Sequence, residues 1–108
     1  MVAETSDARR VDLALHSIAS IVAELPSLDA DWLTLSDDER LSWGLTWGNE
    51  MAKLRQLTEA ERAGSLDCVR SHRVRLLAGE VVRALPVIDR LDLRRPTDQI
   101  LAAGQVRA

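Results

Sequence analysis

The chain has 108 residues, 46% of them hydrophobic, with three Trp, no Phe or Tyr, and a net charge of −3 at a pI near 5.3. That length is one domain's worth, and an apolar set made almost wholly of Leu, Val, Ile and Ala argues against a β-sandwich, which draws more on β-branched and aromatic side chains. The single cysteine, Cys68, excludes an internal disulfide and fits a reducing, cytoplasmic setting.

The first predicted helix covers about residues 6–25, with Thr5 or Ser6 as N-cap, Asp7 in the first turn and Pro26 as its stop. Arg9 and Arg10 precede an apolar-looking run, as in a signal peptide. Asp12, His16, Ser17, Ser20 and Glu24 interrupt that run on one side, while Val11, Leu15, Ile18, Val22 and Leu25 gather on the other. The pattern is an amphipathic helix of the mature protein, and no membrane span is expected. The connection that follows contains Trp32, Leu33 and Leu35, which are expected to plug one end of a bundle.

"SDDE" at 36–39 announces the second helix, with Ser36 as N-cap, Glu39 as its reciprocal partner and acidic residues at the positive end of the dipole. Projected at ~100° per residue, Leu41, Leu45, Gly48 and Ala52 fall together and Trp43, Trp47, Met51 and Leu54 form an adjoining stripe. Gly44 lies between them. The apolar arc spans about 200°, too wide for one partner helix, so two surfaces should meet it. Gly44 and Gly48 each cost about 1 kcal/mol relative to alanine, a cost that close backbone packing would offset. The leucines are expected in the core, leaving Trp43, Gly44, Trp47, Gly48, Met51 and Leu54 as the candidate protein interface.

Gly64 is the expected turn, ending the second helix at about residue 63, with a third beginning near Ser65 or Leu66. Leu66, Val69, Arg73, Leu77, Val81, Ala84, Ile88 and Leu91 hold one phase, which predicts a helix over about 66–93 that is only kinked at Pro86. A short helix over about 98–103 follows, capped by Thr97 and closed by Gly104. The expected architecture is all-α: one domain over 1–108, a three-helix bundle with a short C-terminal helix.

Charge is unevenly placed. Residues 1–61 hold 5 basic and 12 acidic groups, and 62–108 hold 9 basic and 5 acidic. His72, Arg75, Arg83 and Arg90 line one side of the third helix, with Arg94 and Arg95 at its end, a candidate contact for an anion or nucleic acid. Catalytic sets are absent from the pattern. Cys68 and His72 share a helix face but lack the further ligands of a zinc site and the orienting group of a nucleophile pair. The acids around Asp29 fail the calcium-loop register, with Thr34 where glycine is required and Arg40 at the last position. No cofactor is implied.

The sequence therefore points to a non-catalytic helical interaction module, self-associating or binding another protein. A small nucleic-acid-binding regulator is the alternative, weakened by the acidic pI and by helices too long for a helix-turn-helix.

Overall fold

The structure is a computed structural model describing residues 2–105. Among these the chain is all-α, with α1 (Val2–Asp31), a 3-10 turn (Trp32–Thr34), α2 (Asp37–Arg62), α3 (Cys68–Arg83), α4 (Leu85–Arg90) and α5 (Asp98–Gln105).

The ends of α2 follow from local chemistry. Ser36 Oγ accepts from the Glu39 N–H at 3.1 Å, and Glu39 Oε1 accepts from the Ser36 N–H at 2.9 Å. That reciprocal pair satisfies two donors with no partner inside the helix. The Ser36 backbone N–H also holds the Glu39 carboxyl below the ordinary glutamate range. At the other end Gly64 adopts φ 74°, Ser65 N–H donates to Ala60 O at 2.9 Å and Gly64 N–H to Glu61 O at 3.1 Å. This is a Schellman ending, for which glycine carries no Cβ penalty. The third helix starts later than 65 or 66. Its N-cap is Asp67, whose side chain accepts from the Arg70 N–H at 2.9 Å.

The two prolines exchange their expected roles. Pro26 does not stop the first helix, which continues to Asp31 and begins before residue 6, so that Thr5 and Ser6 lie inside it. Leu28 extends the buried stripe of Ile18, Ile21, Val22 and Leu25 by another turn, while Pro26 is exposed. The ring's missing N–H leaves the Val22 carbonyl without its helical donor. Pro86, by contrast, breaks the predicted helix over 66–93. The Ala84 N–H closes α3 on Glu80 O, and Pro86 enters the first turn of α4, where its missing N–H leaves no bond unmade.

A second Schellman ending closes α4, with Asp92 rather than glycine in the left-handed region at φ 56°. Leu93 N–H donates to Ile88 O at 2.9 Å and Asp92 N–H to Asp89 O at 3.2 Å. Both Ile88 and Leu93 are buried, giving the apolar contact that accompanies this motif. An aspartate there bears a backbone strain that glycine lacks, so Asp92→Gly is expected to raise stability by about 0.5–1 kcal/mol in urea unfolding. No gain would mean that the Asp92 side chain compensates locally.

The core draws Leu15, Ile18, Leu25, Trp47, Leu54, Val74, Val81, Ile88 and Ile100 from all five helices into one cluster. α1, α2 and α3 pack on one another, and α5 is more than an accessory turn: its docking on α3 is the most extensive helix contact among the described residues, and it also meets α2. By length and composition the helical segment Asp7–Thr34 could cross a membrane, yet Leu15, Ile18, Ile21, Val22, Leu25 and Leu28 within it are core residues of this fold. Trp32 and Leu35 pack against the core as expected, whereas Leu33 is exposed.

Forked ion pairs tie the helices together at the surface. Arg70 donates from Nε and Nη2 to the two oxygens of Asp12 at 2.9 and 2.8 Å, joining α3 to α1. Arg90 does the same for Asp29 at 3.0 and 2.8 Å, joining α4 to α1. Each arginine holds its aspartate below the ordinary carboxylate range, mainly through these hydrogen bonds. A carboxylate with a depressed folded pKa contributes stability above its unfolded value and loses it as pH falls through the folded one. The melting temperature should therefore drop below about pH 4, with a shallower drop in Asp12→Asn and at high salt, since both pairs are at the surface. An identical acid limb in that variant would show that the Arg70 fork contributes nothing.

Candidate interaction face on the second helix

The face of α2 turned to solvent is the leucine side. Trp47 and Leu54 have no exposed surface and Met51 retains 4%. Leu41 and Leu45 are 65% and 64% exposed, and Ala52 is also exposed. The expected division of the arc is thus reversed by rotation of the helix about its own axis. Three of the six residues read as interface, Trp47, Met51 and Leu54, are core. Trp43 is half-buried, stacked on Trp47 with centroids 6.1 Å apart and planes 20° from parallel. The Trp47 indole N–H donates to Arg94 O at 2.8 Å, fixing α2 to the segment between α4 and α5.

Gly44 and Gly48 remain on the open face. A methyl group placed on either would meet nothing within 4 Å. Close approach to a neighbouring backbone, the packing expected from sequence, does not occur at these glycines within the chain. Leu41, Gly44, Leu45, Gly48 and Ala52 instead form an uncovered stripe at helical spacing, large and small residues alternating along its first two turns. Leu41 and Leu45, expected in the core, are therefore at the surface. The downstream half of the helix carried the signal for this: the Trp47 stripe continues through Leu54 into buried Leu57 and Thr58, whereas the leucine stripe runs out into exposed Gln56 and Glu59.

The basic residues are spread along the chain rather than gathered on one helix. Arg75 pairs with Glu61, Arg90 with Asp29 and Arg95 with Asp89, at 2.8 to 3.0 Å. Glu61 and Asp29 hold Arg75 and Arg90 above the ordinary arginine value, chiefly by hydrogen bonding. The break at Ala84 separates Arg75 and Arg83 from Arg90. His72, Arg83 and Arg94 are exposed. Cys68 is exposed too, and no group of three or more His, Cys, Asp or Glu among the described residues is arranged to hold a metal ion.

Compared with known protein families, curated proteins and solved structures, the chain matches none.

Proposed function

We propose that the protein is a non-catalytic, self-associating helical module whose second copy docks on the α2 stripe from Leu41 to Ala52. The observation that carries this reading is the open space over Gly44 and Gly48. Each glycine costs the helix about 1 kcal/mol relative to alanine, and neither gains an intramolecular contact in return. Their benefit then lies in a contact outside the monomer, where missing side chains let two helices approach closely.

The stripe is complementary to itself. In an antiparallel pairing about a two-fold axis, Leu41 lies over the partner's Gly48 and Leu45 over the partner's Gly44, so each large residue fills the gap above a small one. The helix dipoles oppose, and the acidic first turn of α2 meets the basic residues toward its C-terminal half. Asp37 and Arg55 sit on the same flank of the stripe, so each lies near the other across the axis, where Asp37 would compete with Glu59, which holds Arg55 at 2.7 Å within the chain. The basic residues from α3 to the segment after α4 support the nucleic-acid alternative less well, because Arg75, Arg90 and Arg95 already have carboxylate partners.

Sedimentation over a range of concentrations should give a monomer–dimer equilibrium. Leu45→Glu should be a folded monomer, losing about 2 kcal/mol or more of association energy as a central anchor does. Gly48→Ala should separate the two effects: about 0.5–1 kcal/mol more stability for the monomer, where the methyl meets no obstacle, and weaker dimerisation. A wild type that stays monomeric throughout, or a dimer indifferent to Leu45→Glu, would overturn the proposal.

A further inference from the structure

Between the N-terminal half of α1 and the C-terminal half of α2 runs a groove of about 550 Å³ that uses none of the residues of the leucine stripe. Its apolar walls are Val11, Leu13, Ala14 and Leu57. No carboxylate lines it, although acidic groups outnumber basic ones in the chain by 17 to 14. Leu13 is the unusual wall: it is 61% exposed, whereas the other leucines of α1, at 15, 25 and 28, belong to the core. With Val11 and Ala14 half-buried beside it and Leu57 buried across the groove, it borders a strip of apolar surface left open to a ligand.

The two cations of the groove, Arg10 and Lys53, differ in what they have left to offer. Lys53 Nζ donates to Glu50 Oε1 at 3.1 Å, the same oxygen that accepts from Ser17 Oγ at 2.8 Å. Its charge is neutralised within the chain, and its methylene stem is the part that meets the groove. Arg10 has Asp7 as its only carboxylate neighbour among the described residues, at 3.9 Å and beyond hydrogen-bonding distance, with both side chains largely exposed. Its planar fork of N–H donors can therefore take a carboxylate bidentately. Ser17 and Lys53 meet at Glu50, and Arg10 stands two turns N-terminal to Ser17, about 10 Å along the axis of α1. The groove thus has one cationic end, one neutral end and apolar walls between them. A small inorganic anion would use the fork and none of the walls, and a peptide would bring backbone N–H and C=O groups that those walls cannot pair. An unbranched chain with one anionic head matches both.

We infer that the groove between α1 and α2 binds a medium-chain alkyl carboxylate, its head on the Arg10 guanidinium and its tail along Leu13, Ala14 and Leu57 toward the Lys53 stem. The site stands apart from the leucine stripe, so binding is expected equally in the monomeric Leu45→Glu variant, and its failure would leave the self-association reading standing.

Decanoate titrated into the full chain at low ionic strength should bind saturably, with heat in calorimetry and amide shifts centred on Ala14 and Leu57 in NMR spectra. Arg10→Gln should weaken binding by about tenfold or more, the effect of losing a charge-assisted contact. Arg9→Gln, outside the groove, should leave it unchanged. Affinity should rise several-fold with each added pair of methylenes from hexanoate to decanoate, as apolar burial requires, and should fall in Leu13→Ser. Arg10 and Leu13 are both exposed, so these variants are expected to fold. No saturable binding, equal affinity in Arg10→Gln and Arg9→Gln, an affinity indifferent to chain length, or decyltrimethylammonium binding as tightly as decanoate would overturn the site. So would the same amide shifts on concentrating the protein alone, which would assign the groove to a second copy. Arg10-dependent sedimentation with phosphatidylglycerol vesicles in the absence of decanoate binding would overturn it in favour of a membrane surface.

Discussion

Truncating Trp47 to alanine is expected to cost about 3–5 kcal/mol of folding stability, the usual range for deleting a fully buried large aromatic. The indole has no exposed surface, stacks on Trp43 and donates to Arg94 O. Its loss would leave a cavity where α2 meets the rest of the core and would release the segment linking α4 to α5. Arg94 is exposed, so its carbonyl can turn to water, and cavity formation is the larger effect. A domain of this size has about 5–15 kcal/mol in all, so the variant should unfold at a much lower urea concentration, or be unfolded in buffer, by far-UV circular dichroism. A stability loss below about 1 kcal/mol would mean that the site collapses around the smaller side chain. Leu45→Glu should do the opposite, sparing the fold and removing the proposed self-association. Together the two variants test which side of α2 faces inward.

Local chemistry was the legible part of this fold. Ser36 and Glu39 mark the start of α2 by themselves, and Gly64 marks its end, because each acts on backbone groups within a few residues. The prolines show where local reasoning stops. Whether a helix survives a proline depends on whether its apolar stripe still has something to pack against on the far side and whether the freed carbonyl meets water. At Pro26 the first condition holds, since Leu28 is buried. At Pro86 the phase of the apolar residues also continued, but the chain places the break at Ala84 and buries Ile88 from a new helix. The rotation of α2 was less legible still. An arc of about 200° can turn either flank inward, and the hydrogen bond that anchors the tryptophan flank joins residues 47 positions apart.

The glycines make the same point with opposite signs, and Gly104→Ala is the second large effect expected. Read along the chain, Gly104 is a helix terminator; in the structure it lies inside α5, at the closest approach of that helix to α3. A Cβ at Gly104 would sit 2.5 Å from Ala78 O, 2.7 Å from Ala78 C and 2.7 Å from Val82 Cγ2. Two of those atoms are backbone in the middle of α3 and cannot swing aside, so α5 must shift bodily and Ile100, fully buried beneath it, must loosen. The expected cost is about 1–3 kcal/mol, typical of overpacking, even though alanine is the better helix former by about 1 kcal/mol. Amide exchange should show the loss first in α5, with α1 and α2 still protected. At Gly48, where the same methyl meets nothing, the same substitution should raise monomer stability. A Gly104→Ala protein as stable as the wild type would mean that α5 can dock on α3 without this close contact, and that the small residues facing each other there, Ala78, Gly79 and Gly104, do not set the spacing of the two helices.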